Sequence, residues 1–197
     1  MIPAVVNLVR QLDALKAVTR KTKNLVDGRY ENSAEHSWQI AMLAWGLAPI
    51  APSGVDIQRV IQMLLLHDIG EIDTGDTIVY AETGWEERKA QEEACVRRLF
   101  GALPQGEQFV ALWLEFEAAT SPDAKFAHAA DRAMPVLLNL ANRGQSWVEN
   151  GISFDRVVGR IRQPIEQGCP ELWAYLEAEL IAAQQQGWFG TQSTKEF

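Results

Sequence analysis

Along most of this chain apolar and polar positions alternate at intervals of three and four residues, the period of a helix with one buried face. From residue 3 to about 19, apolar side chains fall at 5, 8, 9, 12, 15 and 18, which predicts an opening helix. Lys16, Arg20, Lys21 and Lys23 follow. This cluster reads either as a solvated helix end, where cations complement the dipole, or as an anion clamp. Residues 24–31 read as a loop that turns at Asp27-Gly28. Asn32 and Glu35 then form a variant of the capping box, predicting a helix through His36, Ile40, Leu43, Ala44 and Leu47 that stops near Pro49.

The next helix is expected over residues 55–67, with Val60, Leu64 and His67 on its inner face. Gly70 marks its end or a loosening near it. The charged spacing of residues 84–100 predicts an exposed helix, and residues 105–120 another, with Phe109, Leu112, Trp113 and Phe116 on one side. Ser121-Pro122-Asp123 opens a long helix reaching as far as Trp147. Within it Pro135 removes the hydrogen bond to the carbonyl of Asp131 and predicts a kink there. Two last helices are expected over 151–162 and 170–186, then an irregular tail from Gly187. No alternating strand pattern, internal repeat or low-complexity segment appears, so the expectation is an all-α bundle with extra C-terminal helices.

Length and composition narrow the class. A chain of 197 residues suits one domain spanning 1–197, and 47% hydrophobic residues support a sizeable core. The net charge of −8 disfavours a broad nucleic-acid surface but leaves room for a small anionic ligand. No apolar run approaches a membrane span. The N-terminal residues lack the basic region of a signal peptide. Cys95 and Cys169 read as two reduced thiols. Together these give a cytoplasmic protein with no membrane or nucleic-acid partner. Seven tryptophans leave aromatics for a contact surface, with Trp147, Trp173 and Trp188 as candidates, and so point to a homodimer.

The chemistry gathers at residues 67–76. The apolar run 60–66 ends in His67-Asp68, with Glu71, Asp73 and Asp76 close behind. Buried charges need partners or a metal. Two of the three histidines, His36 and His67, stand beside acids, and Asp131 lies on another inward face. The reading is that His36, His67, Asp68 and Asp131 converge on one divalent metal, with Glu71 and Asp76 acting beside it on a water and a substrate. Taken singly, each of these histidines is more often a hydrogen-bonded core residue. His128 is expected not to be a ligand. Two imidazoles and two carboxylates suit Mn²⁺, Co²⁺, Fe²⁺, Ni²⁺, Zn²⁺ or Mg²⁺.

These residues carry a resemblance. Glu31-Asn32-Ser33-Ala34-Glu35-His36-Ser37, His67-Asp68-Ile69-Gly70-Glu71, Gly75-Asp76, and Ala124-Lys125-Phe126 leading to Asp131-Arg132 resemble the HD-domain superfamily of metal-dependent phosphohydrolases. More narrowly, the context is similar to its 5′-deoxynucleotidase branch and that branch's HD-hydrolase relatives, and the resemblance covers roughly residues 10–145. The resemblance implies an all-α HD domain, one divalent metal, a tendency to dimerise, and hydrolysis of a nucleoside monophosphate. It implies Glu71 and Asp76 as catalytic acids and an upstream arginine as phosphate ligand, Arg20 or its competitor Arg29. Dinuclear members carry extra histidines between the HD pair and the last aspartate; none lies between His67 and His128. That favours a single metal and disfavours an oxygenase. The alternative to an enzyme is a regulatory HD protein that binds metal and nucleotide without turnover.

Overall fold

The computed structural model describes residues 1–76 and 85–190. The opening amphipathic pattern is helical over Ile2–Leu12 (α1) and then tightens to a 3₁₀ turn at Asp13–Ala17. The helix expected to reach residue 19 therefore ends earlier. Val18 is extended, and Thr19–Lys23 (β1) pairs antiparallel with Tyr30–Asn32 (β2). Thr19 stands opposite Asn32 and Lys23 opposite Tyr30, with an irregularity between them. This ribbon corrects the expectation of no strand. Thr19–Lys23 contains no apolar residue, so a period-two hydrophobic pattern has nothing to register there. Its loop turns as expected: the Asn24 side chain accepts from the Val26 and Asp27 amides at 3.1 Å each, and Gly28 takes φ +72°.

The capping box forms. Asn32 Oδ1 accepts from the Glu35 amide at 3.0 Å, and Glu35 Oε2 accepts from the Asn32 amide at 3.1 Å. It starts Ser33–Gly46 (α2). Asp56 caps Ile57–Leu66 (α3) by accepting from the Gln58 amide at 3.0 Å. A single turn at Glu71–Thr74 (α4) follows. Then come Trp85–Phe100 (α5) and Gly106–Ala118 (α6). Ser121 caps Pro122–Ala141 (α7), accepting from the Ala124 amide at 3.1 Å. The chain leaves α7 at Arg143 (φ 59°) and Gly144 (φ 74°), six residues short of the expected end once Gln145–Glu149 (α8) is counted separately. Phe154–Gly168 (α9) outlasts its predicted end at 162, continuing through Pro164. Pro170–Gln185 (α10) matches its prediction closely. The tail is described as far as Gly190; the remainder lies outside the described residues.

One core joins Leu8 on α1 to Leu180 on α10. α7 lies at its centre, packed by α2, α3, α6, α9 and α10. Ile40, Ala44, Val60, Met63 and Leu64 are completely buried where α2 meets α3. Each large side chain buried in this way contributes about 1.5–3 kcal/mol. Two glycines set close approaches. A Cβ at Gly70 would stand 2.6 Å from Glu92 Cβ, so glycine lets α5 close over the turn after α3. At Gly168 a Cβ would collide with the Lys125 carbonyl, so glycine lets the end of α9 lie on α7. Trp147 and Trp173 are buried in this core, which removes them from the expected contact surface. The tryptophans exposed on α2 are Trp38 and Trp45. Cys95 and Cys169 are both free and buried. Among the described residues no helix is long and apolar enough to cross a membrane.

Candidate metal centre

The centre is built where three elements meet: the first turn of α2, the end of α3, and the middle of α7. α3 ends at Leu66, so His67 and Asp68 occupy its last, tightening turn. The Ile69 amide donates to the Leu66 carbonyl at 3.1 Å and the Glu71 amide to the Asp68 carbonyl at 3.0 Å. Neighbouring side chains diverge by roughly 100° or more on such a turn, yet at this helix end the two side chains bend to one side, with His67 Nε2 2.9 Å from Asp68 Oδ1. Trp113 Nε1 donates to the His67 carbonyl at 3.0 Å and the Phe116 ring meets the imidazole edge-on, so α6 buttresses the turn.

His67 Nδ1 donates to the Leu64 carbonyl at 2.8 Å, which leaves Nε2 as the inward lone pair of the neutral ring. That Nε2 faces Asp68 Oδ1 at 2.9 Å and Asp131 Oδ1 at 3.8 Å but makes no aligned hydrogen bond. His36 Nε2 lies 3.0 Å from the same Asp131 oxygen. The ligand atoms of His36, His67 and Asp68 all fall within 4.8 Å of one another. Donors around an ion at ~2.1 Å stand about 3 Å apart when they subtend a right angle. Nitrogen and oxygen donors at this spacing, with a buried ring nitrogen lacking a bond, fit a divalent metal. All four predicted ligands are brought together and all are buried.

The electrostatics agree. Burial disfavours charge on His67, but Asp68 and Asp131 outweigh it and push its pKa up to about 9. Burial also opposes the charge of Asp131, yet Arg132, His36 and His67 hold it well below the usual carboxylate range. Asp68, despite burial, is drawn down to about 2 by His67 and Arg20. The two carboxylates thus hold their negative charge, and a divalent cation can replace the proton they press onto His67.

Glu71 and Asp76 behave oppositely. Burial, then the charges of Asp68 and Asp76, raise Glu71 to about 9. Ser33 Oγ donates to its Oε2 at 2.7 Å. Burial and Asp68 raise Asp76 against the pull of Arg20. Gly75, at φ +73°, turns the chain so that Asp76 lines a cavity with Arg20 and Asp131.

Arg20 projects from β1, not from a helix end. Its Nη1 donates to Asp68 Oδ2 at 2.9 Å and its Nε to Glu31 Oε1 at 3.2 Å. Arg29 instead pairs with Glu35 and Asp27 at the surface, its side chain half exposed. His128 Nε2 donates to the Phe116 carbonyl at 2.8 Å and its ring stacks on Phe116, so it takes no part in the cluster.

Two members of the site escaped the sequence reading. Glu31 is almost completely buried; beyond its bond to Arg20, its Oε1 faces His36 Nδ1 at 3.6 Å. A carboxylate there favours the Nδ1–H tautomer, which frees Nε2 for a metal. Ser33 sits under Glu71. Both lie in the stretch 31–37 whose resemblance was noted, but a lone Glu and Ser in a polar run carry no burial signal.

The chain matches the HD domain over residues 12–173. It belongs to the HD-domain family. This HD domain superposes on the predicted metal-dependent phosphohydrolase from Magnetospirillum magnetotacticum MS-1 with a TM-score of 0.89 and 39% identity, covering 96% of this chain and 95% of that one. In sequence the HD domain is similar to human 5′-deoxynucleotidase HDDC2, with 26% identity over 79% of this chain and 77% of the relative. It is also similar to 5′-deoxynucleotidase hdd1 of Schizosaccharomyces pombe, with 29% identity over 64% of this chain and 67% of the relative.

Proposed function

We propose that this HD domain is a metal-dependent phosphohydrolase that removes the 5′-phosphate of nucleoside monophosphates, deoxynucleotides above all. The observation that carries the reading is the cluster of His36, His67 and Asp68, whose ligand atoms lie within 4.8 Å of one another, with Asp131 Oδ1 3.0 Å from His36 Nε2 and 3.8 Å from His67 Nε2, beside two acids of raised pKa. The similarity to named 5′-deoxynucleotidases and to a metal-dependent phosphohydrolase supports it.

In this reading His36, His67, Asp68 and Asp131 hold one divalent ion, which when bound neutralises phosphate charge and acidifies water. Arg20 binds phosphate oxygens while Asp68 and Glu31 fix its guanidinium. Glu71, kept in place by Ser33, orients the attacking water, and Asp76 takes up its proton or meets a sugar hydroxyl. Glu31, 3.6 Å from His36 Nδ1, places negative charge on that side of the ring and so favours the tautomer with its proton there. We also propose that the enzyme acts as a homodimer, with the exposed residues Trp38, Met42 and Trp45 of α2 in the contact.

The test is phosphate release from a panel of deoxy- and ribonucleoside 5′-monophosphates with each candidate metal. Turnover of at least one ester, abolished by chelation, supports the reading. A metal-loaded protein that cleaves none of them would point instead to a binding module without turnover.

A further inference from the structure

Beyond the metal centre the described residues enclose a cavity of about 620 Å³ between α7, α8 and α9. Its charge runs against that of the chain. The whole protein carries −8. The cavity, however, is lined by Arg20, Lys21, Arg132, Arg156 and Arg160 against only Asp76 and Asp131. A single scissile phosphate, already met by a divalent metal and Arg20, does not call for three further arginines.

Their placement follows from the packing of α9 on α7. Gly168, at the end of α9, lies against Lys125 and Ala129 near the start of α7. At the opposite ends, Arg156 and Asn139 line one cavity, so the two helices are antiparallel. Counting back from Gly168 at ~1.5 Å per residue puts Arg160 at the level of Pro135 and Arg156 at the level of Asn139. The arginines therefore stand roughly 6 Å and 12 Å along α7 from the ligand Asp131. They are four residues apart, share one face of α9, and are exposed at the cavity's mouth. Neither is loose, since each also has an interaction within the chain. The rest of the lining is uncharged: Pro135, Val136, Trp147, Ile152, Val157 and Ile161 supply apolar surface, and Thr22, Asn139, Ser146 and Asn150 supply polar groups. Such a lining suits the uncharged body of a sugar or nucleoside.

We propose that the cavity takes a phosphate ester carrying a second phosphate, remote from the one cleaved and gripped by Arg156 and Arg160. The assignment of the reacting end rests on the phosphohydrolase reading above. The forked guanidinium suits a phosphate terminus, and the separation of one to two helical turns suits a phosphate on another carbon better than one joined in a pyrophosphate. A nucleoside bisphosphate and a sugar bisphosphate share this chemistry.

Calorimetric titration of the Mn²⁺-loaded Glu71→Gln protein tests it, because the ligand is then bound without being consumed. Deoxyadenosine 3′,5′-bisphosphate is compared with deoxyadenosine 5′-monophosphate, and fructose 1,6-bisphosphate with fructose 6-phosphate. At least one bisphosphate is expected to bind about tenfold or more tightly than its monophosphate, and that arm names the source. In the added Arg156→Ala and Arg160→Ala variants the ratio is expected to fall toward one. Both arginines are exposed, so these variants keep the core, and unchanged near-ultraviolet dichroism checks that. Ratios near one in both arms of the parent overturn the proposal. So does a ratio that the arginine variants leave intact. Phosphate release by the unmutated protein is measured in parallel. A bisphosphate preference without any turnover keeps this proposal and removes the hydrolase reading. Turnover with ratios near one does the reverse.

Discussion

Arg20 Nη1 donates to Asp68 Oδ2 at 2.9 Å, joining a strand residue to a metal-site carboxylate 48 positions away. Burial alone would disfavour the arginine's charge, yet Asp68, Asp76, Asp131 and Glu31 together raise its pKa. One guanidinium is therefore the counter-charge of the site and, under the proposed function, also the group that meets phosphate. Arg20→Ala is expected to raise KM and also to destabilise the metal-free protein by about 3–5 kcal/mol, since Asp68 and Glu31 lose a buried partner. Arg29→Ala, at the surface, should leave stability nearly unchanged. Urea unfolding of both variants, with kinetics alongside, checks the contrast.

Metal content should track the quartet. His36→Ala and Asp131→Ala are each expected to carry well under one equivalent of metal and to lose most of the rise in Tm that added metal produces in the parent. Elemental analysis and thermal scans read both. Full metal occupancy in either variant would remove that residue from the ligand set.

Glu71→Gln and Asp76→Asn should separate chemistry from metal binding. Turnover is expected to fall on the order of a hundredfold or more, as for loss of a general acid or base. Metal content should stay near that of the parent. Steady-state kinetics on metal-quantified protein decides it, and undiminished turnover in Glu71→Gln would remove the residue from the mechanism.

His128 gives a pH dependence whose sign follows from its burial. Burial lowers its pKa; Asp131 and the Phe116 carbonyl oppose this only in part. The folded protein thus keeps it neutral, while the unfolded chain protonates it near 6.5. Below about 6.5 the unfolded state binds more protons, so stability is lost as pH falls through that value and is present above it. His67, pushed up to about 9, has the opposite sign in metal-free protein: it contributes below 6.5 and fades as pH rises through 9. Comparing urea unfolding of the parent and His128→Gln at pH 5.5 and pH 7.5 isolates the His128 part. The parent should lose more on acidification than the variant, and His128→Gln should keep its metal.

Light scattering is expected to give a particle of twice 22.0 kDa at micromolar concentration. Trp38 and Trp45 are 63% and 62% exposed and one heptad apart on one face of α2, which makes that face the candidate contact. Trp38→Glu together with Trp45→Glu should give the monomer without loss of helical content. A 22.0 kDa particle from the parent would dismiss the dimer.

Local rules settled much of this molecule. The Asn32–Glu35 capping box, the Ser121 cap with Pro122, and the helical periods around Ile40, Leu64 and Met134 are short-range features, and α2 and α7 begin where these caps stand. The apolar run into His67-Asp68 announced charges at the end of a buried helix, because only partners or a metal make that tolerable. Elsewhere local rules were silent. Thr19–Lys23 has no apolar side, and only its pairing with Tyr30–Asn32 makes it a strand that turns Arg20 inward and leaves Arg29 outside. Trp147 and Trp38 are the same residue type, and the docking of α8 and α9 on α7, not composition, buries one and exposes the other. Glu31 shows no sequence sign of being buried, and Arg156 and Arg160 look like a solvated face until α9 lies across the cavity. Hydrogen-bonded caps and periods act over four residues and can be read in order. Burial and charge pairing depend on distance in space, which only the packed chain defines.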